Sequence, residues 1–127
     1  MNCAATLAFA LVVTLRPCSL RARVRFDTVG ARRAFGRGAA RVEALPVPNG
    51  HADGNVAYFL PGSGVLFQGD LFYIPERGAV PPAFAVTDEL ARAVDAAGWR
   101  VRHVVGVHGR SGTWADVGES RAMRRGR

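Results

Sequence analysis

The sequence predicts an α+β fold, and three observations predict it. Two short apolar runs, 55–60 and 65–68, are separated by Pro61, Gly62, Ser63 and Gly64. A four-residue connection of turn formers between such runs joins antiparallel strands. Residues 87–97 then place Leu90, Ala93, Val94 and Ala97 at i, i+3, i+4 and i+7, which is one apolar face of a helix. A third apolar run, 102–107, follows the helix and reads as another strand.

Taken in order, residues 1–41 are poorly specified. They hold an apolar run over 3–15, a strand-like alternation over 21–26, and a tract of Gly, Arg and Ala. The sequence Gly36, Arg37, Gly38 lacks the third glycine and the preceding strand of a dinucleotide-binding loop. Ordered patterning returns near Arg41. The expected organisation is thus an unspecified segment 1–41, a folded unit 42–116 and a basic tail 117–127. Residues 42–47 suggest a strand, with Pro46 at its end or on an edge because proline cannot donate to a ladder. Ser63 is a turn residue, since a nucleophile elbow demands G-x-S-x-G spacing and a strand-to-helix turn. Three prolines and a glycine make 74–82 a loop. Thr87 is expected to cap the helix, with Asp88 and Glu89 at its positive end and Gly98 closing it. The helix face is expected to pack on the hairpin and on strand 102–107. Strands with so little polar alternation call for cover on both faces, so one layer of helix leaves a sheet face bare.

Composition sets the outer bounds. At 127 residues the chain is one domain at most, and 49% hydrophobic content excludes disorder of the whole. All 17 basic residues are Arg, a usage that fits a GC-rich coding sequence. Residues 1–42 carry a balance of +7, residues 43–99 one of −5 and residues 100–127 one of +5. Basic flanks suit phosphate neutralisation on nucleic acid or an anionic membrane. The plainer reading, Arg-rich ends of a GC-rich reading frame, is preferred. Cys3 and Cys18 fit neither a zinc ribbon nor a redox pair and are treated as incidental thiols. The run 3–15 is too short to span a bilayer, which takes about 20 apolar residues. Its arginines follow it, whereas a secretory signal carries positive charge ahead of its core. A cytoplasmic location is the expectation, with export the alternative.

The chemistry-bearing residues lie in the acidic centre, each after a predicted strand. His51 stands in Pro48, Asn49, Gly50, His51, Ala52, Asp53; Asp70 follows Phe67, Gln68, Gly69; His108 lies between Val107 and Gly109. In that order, at spacings of 19 and 38 residues, they resemble the second half of the metallo-β-lactamase superfamily, over about residues 42–116. The resemblance implies a partial αββα sandwich, its C-terminal half. It implies a dinuclear zinc site in which His51 binds the first metal, Asp70 bridges the two and His108 binds the second. It further implies hydrolysis of a small-molecule substrate. Imidazole suits zinc, and a carboxylate between two ions offsets their charge.

The superfamily's other ligands come from an H-x-H-x-D-H motif, which these 127 residues do not contain. Counted on the resemblance, each metal receives two ligands, against about three plus water at a catalytic zinc. His103 is the remaining histidine, and strand alternation turns it away from His108. The chain is therefore expected to be a truncated hydrolase, inactive alone and binding zinc weakly. A complementary half or a second copy is the expected partner. The alternative is a non-enzymatic Arg-rich binding module on a decayed hydrolase core. Phe67, Phe72 and Tyr73 are candidates for a groove wall beside Asp70, with core packing preferred. Trp99 and Trp114 are expected in the core or at its rim.

Overall fold

A computed structural model describes residues 28–126. Along the chain they form β1 (Arg33–Phe35), a 3-10 turn (Gly38–Ala40), β2 (Val42–Pro46), β3 (Val56–Leu60), β4 (Val65–Phe67), α1 (Ala85–Ala97), β5 (His103–Val105), β6 (Gly112–Thr113) and α2 (Trp114–Arg125). The six strands make one mixed sheet in the order β1-β2-β3-β4-β5-β6. Every neighbouring pair is antiparallel except β4 and β5, which are parallel with α1 as their crossover. The apolar run 3–15, the alternation over 21–26 and both cysteines lie outside the described residues. Among the described residues no helix is long and apolar enough to cross a membrane.

Register decides which side chains meet the helices. Phe59, Leu66 and Val104 stand opposite one another on β3, β4 and β5, so they share a face. They are buried in one cluster with Leu90 and Val94 of α1, Trp99 and Val117 of α2. The expected packing of helix against hairpin and strand is present, with Leu90, Ala91 and Val94 as its buried apolar residues. One face of the sheet is thereby covered. On the other, Tyr58, Phe67 and Val105 line up across the same strands, and Tyr58 is 38% exposed.

Several elements depart from the expectation. The ordered sheet begins before Arg41, because β1 pairs with β2 from Arg33↔Ala44 to Phe35↔Val42. Since that pairing stops at Ala44, Pro46 stands where β2 has lost its β1 neighbour, and its missing N–H costs no ladder bond on that side. Helix α1 starts at Ala85, two residues early, with Phe84 flanking it. Thr87 is not the cap: its hydroxyl is buried and donates to the Leu71 carbonyl at 2.8 Å, a tertiary tie that outcompetes a local one. Gly98 does close the helix, in the left-handed conformation.

The segment 117–127, expected as a basic tail, belongs to α2 through Arg125. The cause is local. Thr113 and Asp116 form a capping box, the Asp116 carboxylate accepting from the Thr113 N–H at 2.6 Å. Val117 and Ser120 then face inward, and Arg121 donates to Asp88 of α1 at 2.6 Å. The arginines of α2 thus include one that ties the two helices together.

Buried polar groups hold the sheet to the helix layer. Glu43 is 4% exposed on β2, opposite Phe59. It accepts from both Arg32 and Arg41, and from the Trp99 indole N–H at 2.7 Å. Trp99 also stacks on Phe59 with ring centroids 5.1 Å apart. Arg32 reaches on to the carbonyl of Ala97 at 2.8 Å. A carboxylate on β2 thereby joins the chain before β1 to the C-terminal end of α1.

Candidate metal centre

Three loops bring the candidate ligands to one cavity. The first, between β2 and β3, is shaped by Asn49. Its side-chain oxygen accepts from the backbone N–H of His51 at 2.8 Å and of Ala52 at 3.1 Å, while its amide donates to the Val47 carbonyl. Glu89 of α1 accepts from the Gly50 N–H at 3.0 Å and docks this loop on the helix. His51 follows Asn49 and Gly50 in that turn and projects from it, exposed.

The second loop follows β4 and is organised by Gln68, whose side chain is fully buried. Its amide donates to the Phe72 carbonyl at 2.7 Å, and its oxygen accepts from the Phe72 N–H at 2.8 Å. One side chain thus pairs both backbone groups of a residue four positions on, closing the loop that carries Asp70. The third loop follows β5. Val107 donates to the Gly69 carbonyl at 3.1 Å, and Arg110 to the Ile74 carbonyl at 3.1 Å. The His108 loop is therefore stitched on both sides to the Asp70 loop. Two glycines make that closeness possible. At Gly106 a Cβ would lie 2.8 Å from the Gln68 amide, and at Gly109, where φ is +75°, it would lie 2.0 Å from the Ile74 carbonyl oxygen.

The result is a cavity of about 600 Å³ lined by His51, Asp70, Phe72, Tyr73, His108 and Gly109. All three candidate ligands line it. The His108 Nε2 stands 3.8 Å from the Asp70 carboxylate, with the side chains 76% and 42% exposed. That separation is too long for a hydrogen bond. It is close to the spacing of two donors on one tetrahedral zinc, about 3.3 Å for bonds of about 2.05 Å. Yet among the described residues no three His, Cys, Asp or Glu side chains gather closely enough to hold a metal ion. His51 shares the cavity with the Asp70–His108 pair without joining it as a third ligand. His103 is exposed on β5 and does not line the cavity.

Of the three aromatics considered for a groove wall, Phe72 and Tyr73 do line the cavity, Phe72 while also packing in the core. Phe67 does not, being on the opposite sheet face with Tyr58. Trp99 is buried and Trp114 packs against the core from its rim. Sequence reasoning passed over Asn49 and Gln68, which shape two of the three loops that carry the candidate residues. The Asn-Gly pair before His51 was a turn signal open to reading. Nothing local marked Gln68, because only the fold shows it buried.

Replacing Gln68 with leucine keeps the volume and strands the Phe72 N–H and C=O. We expect a loss of about 2 kcal/mol, since each buried unpaired group costs about 1–3 kcal/mol. Urea titration of the variant beside the parent chain measures it, and a change under 0.5 kcal/mol would show that water replaces the side chain.

Neither a protein-family model nor a curated protein matches the sequence. Solved structures do match the fold. A metallo-β-lactamase from Pontibacter korlensis superposes with a TM-score of 0.57 at 20% identity, over 77% of this chain and 47% of that one. DIM-1 metallo-β-lactamase gives 0.55 at 20% identity, over 76% and 46%. TMB-1 gives 0.56 at 16% identity, over 82% and 48%. The chain spans about half the length of the structures it matches. A six-stranded mixed sheet with helices on one face, superposing on half of each of these proteins, is part of a metallo-β-lactamase fold.

Proposed function

We propose that this chain carries three ligand positions of a two-zinc hydrolytic site, His51, Asp70 and His108, and that alone it does not turn over substrate. One observation carries the reading. Residues from three separate loops line a single cavity, with an imidazole nitrogen and a carboxylate oxygen 3.8 Å apart. Bound zinc would supply Lewis acidity toward a scissile carbonyl or phosphoryl group and a water of lowered pKa. The residues here do the holding. Gln68 and the Val107–Gly69 bond keep Asp70 beside His108, and the Asn49 turn presents His51 to the same space. Tyr73 and Phe72 give the cavity an apolar wall suited to a small organic substrate.

The donor set suits zinc in kind and falls short in number. Asp70 and His108 give an ion two ligands, while a catalytic zinc takes about three from protein. The remaining ligands belong, on this reading, to a complementary segment bearing the absent H-x-H-x-D-H. The full chain is expected to bind zinc at tens of micromolar or weaker by calorimetry, and to leave lactam, thioester, lactone and phosphodiester panels uncleaved. Submicromolar zinc binding, with turnover abolished by His108→Ala, would show the site to be complete in this chain.

A further inference from the structure

A second cavity lies outside the candidate metal centre, between β2 and α1. It holds about 350 Å³ and is lined by Arg32, Leu45, Pro46, Ala93, Ala96 and Ala97, none of which lines the first. Its origin is local. Strand β1 pairs with β2 only as far as Ala44, so Leu45 and Pro46 have no β1 residue beside them. Across from them α1 sets Ala93, Ala96 and Ala97 at i, i+3 and i+4, side chains too short to fill the space. Pro46 has no N–H to offer a solute. The lining is therefore apolar except for one cation, Arg32.

That cation is held in place. Arg32 donates through Nε and Nη2 to the Glu43 carboxylate and through Nη1 to the Ala97 carbonyl at 2.8 Å. Its guanidinium also lies 5.8 Å from the centre of the Trp99 ring. A guanidinium carries five N–H groups, so three such bonds leave two. The side chain is 46% exposed, which leaves it open to a solute from the cavity. Charge is unbalanced as well, because Arg32 and Arg41 both pair with the one carboxylate of Glu43. We infer that this groove binds a small monocarboxylate on a short aliphatic chain. The carboxylate takes the remaining N–H groups of Arg32, and the chain lies along Leu45, Pro46 and the alanines. A carboxylate matches the planar guanidinium fork, and its single charge closes the cluster. An alcohol leaves the excess charge in place, and a phosphate dianion exceeds it. The volume is that of a pocket for a small molecule, which starts at about 300 Å³. Because Glu43, Ala97 and Trp99 already fix Arg32, binding costs little further side-chain freedom.

The experiment is a titration of the isotope-labelled full chain with hexanoate, followed by amide correlation spectra. Chelator is present throughout, so no metal-bound carboxylate contributes. Saturable shifts are expected at the amides of Arg32, Ala93, Ala96 and Ala97. Acetate, which lacks the chain, and 1-hexanol, which lacks the charge, are each expected to bind at least about tenfold more weakly. Ala96 is exposed on α1, so Ala96→Leu fills the groove without entering the core. That variant is expected to keep the parent's circular dichroism and to lose the shifts. Arg32→Lys keeps the charge, loses the fork, and is expected to weaken hexanoate binding by about tenfold. His108→Ala is expected to bind hexanoate as the parent does. The absence of saturable shifts at the four amides would overturn the inference. So would acetate or 1-hexanol binding as tightly as hexanoate, or unchanged hexanoate binding in Ala96→Leu.

Discussion

Replacing Glu43 with alanine is expected to destabilise the fold by about 3 kcal/mol, from the lost charge-assisted hydrogen bonds and the stranded indole N–H. The carboxylate is the meeting point of Arg32, Arg41 and Trp99. The two arginine side chains are about half exposed, so water can take over their solvation once the partner is gone. The indole N–H of Trp99 has no such recourse, because it is buried against Phe59. For a domain of this size the loss corresponds to roughly 10 °C in Tm. Thermal melts of Glu43→Ala and Glu43→Gln separate the terms, since glutamine keeps an acceptor for Trp99 and loses only the charge. A Glu43→Ala melt within 2 °C of the parent would show that the cluster contributes nothing net.

The same cluster sets an acid limit on stability. Burial alone raises the Glu43 carboxyl, but hydrogen bonds from Arg32, Trp99 and Arg41 outweigh it and hold the group below the usual carboxylate range. Asp88 is lowered by its hydrogen bond from Arg121, and Asp116 by the Thr113 backbone N–H and hydroxyl. A group lowered in the folded state stabilises above its unfolded value, and that stability drains as pH falls through the folded value. Tm is therefore expected to fall as pH drops below about 4.3, the ordinary carboxylate range, and to be flat above it as far as these groups are concerned. The fall should be shallower in Glu43→Gln.

Gly109→Ala is expected to cost about 3 kcal/mol and to disperse the Asp70–His108 pair. A φ of +75° costs an L-residue about 1–2 kcal/mol, and the rest comes from contact. The new Cβ would stand 2.0 Å from the Ile74 carbonyl oxygen, which is backbone and can yield only if the loops part. Parting them breaks the bond from Arg110 to Ile74 and carries His108, the adjacent residue, away from Asp70. Gly54→Ala is the control, for it shares φ +75° and has nothing within 4 Å of the added atom. The two variants are compared by urea titration and by zinc calorimetry. Gly109→Ala should lose more stability than Gly54→Ala and, alone of the two, lose the zinc signal from the Asp70–His108 pair. Equal losses would show that backbone strain, and not loop contact, is what Gly109 relieves.

Local chemistry made part of this protein legible without a structure. Pro61 to Gly64 marked the turn of the hairpin, and the spacing of Leu90 and Val94 marked the buried face of α1. Gly98 marked that helix's end. The order of His51, Asp70 and His108 was readable because each stands after a predicted strand, and residues at strand ends are carried to one edge of a sheet. What the sequence left dark was everything that depends on residues far apart. Strand β1 has only three residues, and its edges are decided by pairing with β2. Thr87 looked like a cap by position, and only the approach of Leu71 diverted its hydroxyl. Helix α2 hid in a basic stretch, because the burial of Val117 and Ser120 against a distant core outweighs the polarity around them. Gln68 and Glu43 read as ordinary polar residues, since burial and partners are tertiary facts. Residue type and order named the candidate residues, whereas their distances, and the absence of a third donor beside Asp70 and His108 among the described residues, were decided by how three loops pack.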